Sequence, residues 1–314
     1  MAVYECRRCE YRAEEPWVET CPSCRGFYKC RKIGSDKEVK RVTAADAVNV
    51  TIKREATGVE KFDEVLSGGL VKKFVVLLGG PKGSGKTTLM AQVLGSFAAK
   101  HDCKVMFASA EEQQQFVLGV FKRVGVLDAR VQVMGREEAH DVRAVITRCK
   151  EDHVRLAVFD SLQTMAVGDQ DASIQRDISV AHEINEYCKR SGMTGVIMNH
   201  MNKSLEMVGS TRVGHDVDIE LEIHHYNEKD DGRARTLFTD ETLDGVPMKD
   251  IRTLLVGKNR GGESGRKSFW QTTATGLIPL EQKPAFVRKE TVDGTGAPRM
   301  SSLRLVTDEE EKTT

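Results

Sequence analysis

Two kinds of apolar pattern alternate along residues 51–282. Short runs at Phe74–Leu78, Lys104–Ala108, Leu156–Phe159 and Gly195–Met198 read as buried strands. Between them, apolar positions recur at helical spacing. One predicted helix runs from Thr88 to Lys100. Others carry Phe116, Val120, Phe121 and Val124, then Val142, Val145, Ile146 and Cys149. A fourth, capped by Ser173, carries Ile174, Ile178, Ala181, Ile184 and Cys188. Upstream, Thr57 and Glu60 have the spacing of a capping box, opening a short helix through Leu66 that Ser67-Gly68-Gly69 stops. Strands alternating with helices predict an α/β domain, a mainly parallel sheet covered by helices. In such sheets the chemistry gathers at the carboxyl ends of the strands.

Residues 1–50 read differently. Five of the eight cysteines fall there. Cys6 and Cys9 form one CxxC knuckle, Cys21 and Cys24 another, with eleven residues between them. Two such knuckles aim four thiolates at one point, the donor set of a closed structural zinc site. Cys30 reads as a bystander, and Cys149 as a core thiol. The organisation predicted is a zinc finger over 1–32, a linker over 33–50, the α/β domain over 51–282 and a partly disordered tail over 283–314 with one strand at Ser302–Val306.

Charge narrows the function. Lys+Arg and Asp+Glu are both 47, so the formal net charge is zero. That excludes a globally basic nucleic-acid binder and leaves local patches. One is Arg25–Arg41, with seven basic and two acidic residues. No apolar run of ~18 residues predicts a membrane span. The segment MAVYECRRCE lacks the apolar core of a secretory leader, so a cytoplasmic location is expected.

The strand ends hold the candidate chemistry. Phe74–Leu78 leads into Gly80, Pro81, Lys82, Gly83, Ser84, Gly85, Lys86 and Thr87, a complete GxxxxGKT phosphate loop, with Thr88 opening the helix behind it. Its glycines let backbone N–H groups cradle phosphates. Lys86 would reach the β- and γ-phosphates of ATP, and the Thr87 hydroxyl would ligate Mg²⁺. Asp160, ending an apolar strand, is placed to hold the same Mg²⁺ through water. Glu111 and Glu112 follow another strand, where a carboxylate can activate the attacking water. Asn199-His200 ends a third and is a candidate γ-phosphate sensor.

These residues, in this order, resemble the bacterial RadA (Sms) family of RecA-like recombination ATPases. The resemblance runs from about residue 4 to about residue 280. It rests on the four-cysteine finger, TGVEKFDEVLSGGL, the phosphate loop, FASAEEQQQ, VFDSLQT, NHMNK and Lys258-Asn259-Arg260-Gly261-Gly262. It implies a RecA-like core with antiparallel strands on its C-terminal side. It also implies a DNA-stimulated ATPase that forms a ring, expected to be hexameric, and promotes branch migration. Glu111 then looks like the activating glutamate, and His200 like a sensor at the base of a DNA-contacting loop bearing Lys203 and Arg212. Lys258 and Arg260 look like cations acting on a neighbour's ATP. Two departures stand out. Gly261 replaces the family's phenylalanine, and the family's Lon-protease-like domain would need more chain than follows residue 280. A second reading is an ATP-dependent adaptor, docking a recombinase or helicase through the zinc finger.

Overall fold

The computed structural model describes residues 3–6, 9, 11–14, 20–25, 30–33, 44, 51–168, 173–200, 211–226, 242–243, 246–280, 287–292 and 298–304. The chain divides into two compact units, residues 1–51 and 52–314. The first is a small antiparallel sheet in which β1 (Val3–Cys6) lies between β2 (Arg12–Ala13) and β3 (Cys30–Ile33).

The second unit opens with β4 (Arg54–Glu55), α1 (Glu60–Val65) and β5 (Leu70–Val71). Then come β6 (Val75–Gly80), α2 (Lys86–His101), β7 (Val105–Ser109), α3 (Gln114–Arg123) and β8 (Val131–Met134). They are followed by α4 (Arg136–Ala139), α5 (Val142–Glu151), β9 (Leu156–Asp160), α6 (Ile174–Ser191), β10 (Thr194–His200), α7 (Thr211–Asp216) and β11 (Ile219–His225). After a short ribbon of β12 (Thr242–Leu243) and β13 (Val246–Pro247) come β14 (Ile251–Asn259), β15 (Lys267–Thr273) and β16 (Gly276–Leu280). A hairpin of β17 (Val287–Val292) and β18 (Pro298–Arg304) follows.

One nine-stranded sheet carries the fold, in the order β16-β15-β14-β11-β6-β10-β9-β7-β8. From β11 to β8 every pairing is parallel; β14, β15 and β16 add antiparallel on the other side. The two faces follow the period of a strand. Val76 and Leu78 pack with α1, α2 and α3, whereas Val75 and Leu77 pack with α5 and α6. The α2 helix buries Leu89, Met90, Val93, Leu94 and Phe97, because β16 also lies against it.

Three local expectations change. The box at Thr57 does not close on Glu60. Instead the Asp63 carboxylate accepts from Thr57 N (2.8 Å), Thr57 Oγ1 (2.8 Å) and Gly58 N (3.0 Å). A buried carboxylate meeting three donors anchors the loop more strongly than a surface box, since charged hydrogen bonds contribute about 1.5–3 kcal/mol each. On α3 the buried side is Val117 and Phe121, and Phe116 stands 60% exposed. In the tail, two paired strands replace the single strand expected at Ser302–Val306. Among the described residues no helix is long and apolar enough to cross a membrane.

Candidate nucleotide site and cysteine centre

The order of the strands assembles the site. β10 lies between β6, which enters the phosphate loop, and β9, which ends at Asp160. His200 is in register with Gly80, and Ser109 with Asp160. Four segments far apart in sequence thus end side by side.

The loop has the geometry of a phosphate cradle. Gly83 and Gly85 have positive φ (76° and 99°), and Gly85 caps α2. A Cβ at Gly80 would lie 2.4 Å from the Ile223 carbonyl, so only glycine fits there. The Ser84 hydroxyl is buried with no hydrogen-bond partner, and Lys86 Nζ donates to Gly80 O (2.7 Å) and Pro81 O (3.0 Å). A loop with orphaned donors at a helix N-terminus fits a polyphosphate. Burial lowers the Lys86 ammonium to about 8, with Lys82 adding to the effect and Asp160 and Glu111 opposing it. Thr87 occupies the second position of α2; Thr88, one residue on, is held by Arg123 Nη2 (2.9 Å).

Opposite the loop stand the carboxylates. Asp160 is buried, which raises it to about 6; the Ser109 hydroxyl donates to it (2.9 Å) and pulls the other way. The same Ser109 oxygen accepts from Glu112 N (3.0 Å) and Glu111 N (3.3 Å), tying the turn after β7 to the metal-binding candidate. The carboxylate of Glu111 accepts from Lys82 Nζ (3.2 Å) and meets His200 Nε2 at 2.7 Å. Burial pushes Glu111 up, but the bonds and charges of His200 and Lys82 outweigh it and hold Glu111 below its ordinary range. Glu112 is exposed. Glu111, not Glu112, is therefore the carboxylate engaged at the site. Thr87 and Asp160 are the residues that would hold Mg²⁺, which supplies charge neutralisation on the phosphates.

The C-terminal cations lie elsewhere. Arg260 Nη1 bonds Asp218 Oδ1 (3.0 Å), and Asp218 Oδ2 accepts from Val75 N (3.0 Å), at the start of β6. Five steps along β6 lead from Val75 to Gly80, about 16 Å at ~3.3 Å per step. Lys258 Nζ donates to the carbonyls of Gly214 and of Val217 (2.9 Å). Gly261 is buried, and a Cβ there would lie 3.2 Å from the Phe74 ring and 3.4 Å from Val71, so a larger side chain would have to displace these neighbours. Lys203 lies outside the described residues, as does the Arg212 side chain, whose backbone is in α7.

In the N-terminal unit the sulfurs of Cys6, Cys9, Cys21 and Cys24 lie within 4.8 Å of one another. Cys6 and Cys24 are 3.9 Å apart, Cys9 and Cys21 3.7 Å. A tetrahedron with Zn–S bonds of about 2.3 Å has edges of about 3.8 Å, so the donor set fits zinc. Such a unit draws its folding energy from the metal. Cys21→Ser is expected to release the zinc and expose residues 1–51 to protease, leaving the second unit intact. Zinc content and limited proteolysis check this; a full equivalent of zinc retained by the variant would count against the assignment.

Residues 55–138 match the family described as "ATPase: KaiC". A crystal structure of a KaiC-like protein from Pyrococcus horikoshii OT3 superposes with a TM-score of 0.57 at 18% identity, covering 73% of this chain and all of that one. The core has the RecA/KaiC-like ATPase fold. Curated relatives carry the name DNA repair protein RadA. That of Aquifex aeolicus is 25% identical over 306 residues, 94% of this chain and 63% of that protein. That of Streptococcus pyogenes serotype M3 is 25% identical over 308 residues, 93% of this chain and 62% of that protein. That of Rickettsia bellii is 27% identical over 272 residues, 84% of this chain and 55% of that protein. The chain thus spans about three-fifths of the length of the first two relatives. The RecA/KaiC-like core accounts for the phosphate loop, Asp160 and the antiparallel edge; the cysteine centre belongs to the other unit.

Proposed function

We propose that this protein is a DNA-stimulated ATPase of the RadA type, acting on recombination intermediates as a homo-oligomeric, hexameric ring. The observation that carries the reading is the Glu111–His200 contact at 2.7 Å. It joins the residue that would activate water to the last residue of β10, directly before the segment that would meet DNA. DNA gripping residues 201–215 would pull on His200, and through it on the carboxylate at the γ-phosphate. Lys203 and Arg212 would contribute phosphate contacts, which position without reading sequence. Arg260 is too far from the phosphate loop of its own chain to touch the same nucleotide. Its role, and that of Lys258, would be to stabilise transition-state charge at the neighbour's site.

Steady-state ATP hydrolysis tests this, without DNA, with single-stranded DNA and with duplex, at two salt concentrations. Single-stranded DNA is expected to raise kcat several-fold, and the stimulation to shrink as salt rises, because phosphate contacts release counterions. Hydrolysis indifferent to every DNA would favour the adaptor reading, with the cysteine unit docking a recombinase or helicase.

A further inference from the structure

We infer that Gln163 is the positioning residue that sets the γ-phosphate sensor, clamping the tip of β10 to the turn after Asp160. The inference rests on the hydrolytic reading above and names a residue for that same site.

The argument starts from a gap in the sheet. β10 pairs with β9 only as far as Ile197 opposite Phe159. Beyond Asp160 the chain turns back on itself: Thr164 N and Met165 N both donate to Ser161 O, at 3.0 and 3.1 Å. Leu162 N still reaches Met198 O (2.9 Å), but Asn199 and His200 extend past the end of the ladder on this side. A backbone at a buried strand tip needs partners, and the Gln163 side chain supplies one to His200 N while also holding the Asn199 side chain. Its Oε1 accepts from His200 N (3.4 Å), and its Nε2 donates to Asn199 Oδ1. One amide thus stands in for the missing strand.

The crest of the turn is itself held. Arg176 Nη2, in the first turn of α6, donates to the Gln163 carbonyl (2.6 Å). Arg176 is fixed in turn by Asp177 through Nη2 (3.0 Å) and Nε (3.3 Å), a pair nearly withdrawn from solvent. His200 therefore meets Glu111 from a backbone held by β6 on one side and, on the other, by Gln163 braced from α6. Aligning a general base matters because a misplacement of about 1 Å costs on the order of a hundredfold in rate. Gln163 acts through His200 and touches no phosphate itself.

The test compares Gln163→Met, which keeps the volume and removes both bonds, with Gln163→Glu, which keeps the acceptor and loses the donor. ATP hydrolysis, binding of a fluorescent ATP analogue and Tm are measured on the full chain. Gln163→Met is expected to lose about tenfold or more in kcat, with nucleotide Kd changed less than about twofold. Gln163→Glu is expected to fall between that variant and wild type. Wild-type kcat in Gln163→Met would overturn the inference. So would losses of binding and Tm that parallel the loss of rate, which mark a structural residue. Absence of hydrolysis in the wild-type protein would instead overturn the parent reading.

Discussion

Lys86→Ala is expected to abolish ATP hydrolysis, lowering kcat/KM by at least about a hundredfold, while circular dichroism and Tm stay close to wild type. The side chain is almost wholly buried, and its Nζ donates to the Gly80 and Pro81 carbonyls, which water in the loop can satisfy. No element of the core hangs on it. Its value is as a charge at the centre of the cradle. Burial lowers its pKa to about 8, so the ammonium is complete only well below pH 8 and is lost as pH rises through it. ATP affinity in the wild type should therefore weaken on the alkaline side of pH 8. The variant should bind weakly at every pH and show no such step. Turnover retained by Lys86→Ala would mean that the loop is not the hydrolytic site.

The second large effect separates binding from chemistry. Glu111→Gln is expected to hold ATP with near-normal affinity and to hydrolyse it a hundredfold or more slowly, the contribution of a positioned general base being about 10²–10⁴. The amide keeps the volume and one oxygen, enough for Lys82 Nζ or His200 Nε2 but not for both, since they meet different carboxylate oxygens; what goes is the basic carboxylate. The folded carboxyl is held below its ordinary range by those same partners, against its burial. Its charge is thus present throughout neutral pH, and the base stays competent until pH falls below the usual glutamate range. Single-turnover hydrolysis beside nucleotide binding measures both halves. A normal rate in this variant would move the role to Glu112.

Much of the site is legible along the chain because its parts are local motifs. The phosphate loop, Asp160 at the end of β9, His200 at the end of β10 and the paired CxxC knuckles each declare themselves within twenty residues. What stays hidden is whatever depends on which strands become neighbours. Ser109 bonding Asp160, and Gln163 bonding Asn199 and His200, arise only because β9 lies between β7 and β10. Helical spacing picks out α3 correctly but not its angle to the sheet, so Phe116 reads as core when Val117 and Phe121 are the buried pair. Thr57 and Glu60 satisfy a local capping rule, yet Asp63, three residues further, wins the contact by being buried with its donors.

The Gln92 side chain, on the helix behind the phosphate loop, pairs with the backbone of Leu277 in both directions, donating at 3.0 Å and accepting at 2.9 Å. The Leu277 side chain also sits 3.3 Å from where a Cβ on Gly85 would be. These partners are 185 residues apart in the chain. During synthesis the loop and its helix leave the ribosome early and wait, their outer flank bare, until residue 277 emerges. β6 too must wait for β10 and β11, between which it lies. The cradle, encoded early in its domain, is thus among the last features to be finished. A nascent chain halted before β16 would present a phosphate loop without the strand that backs it.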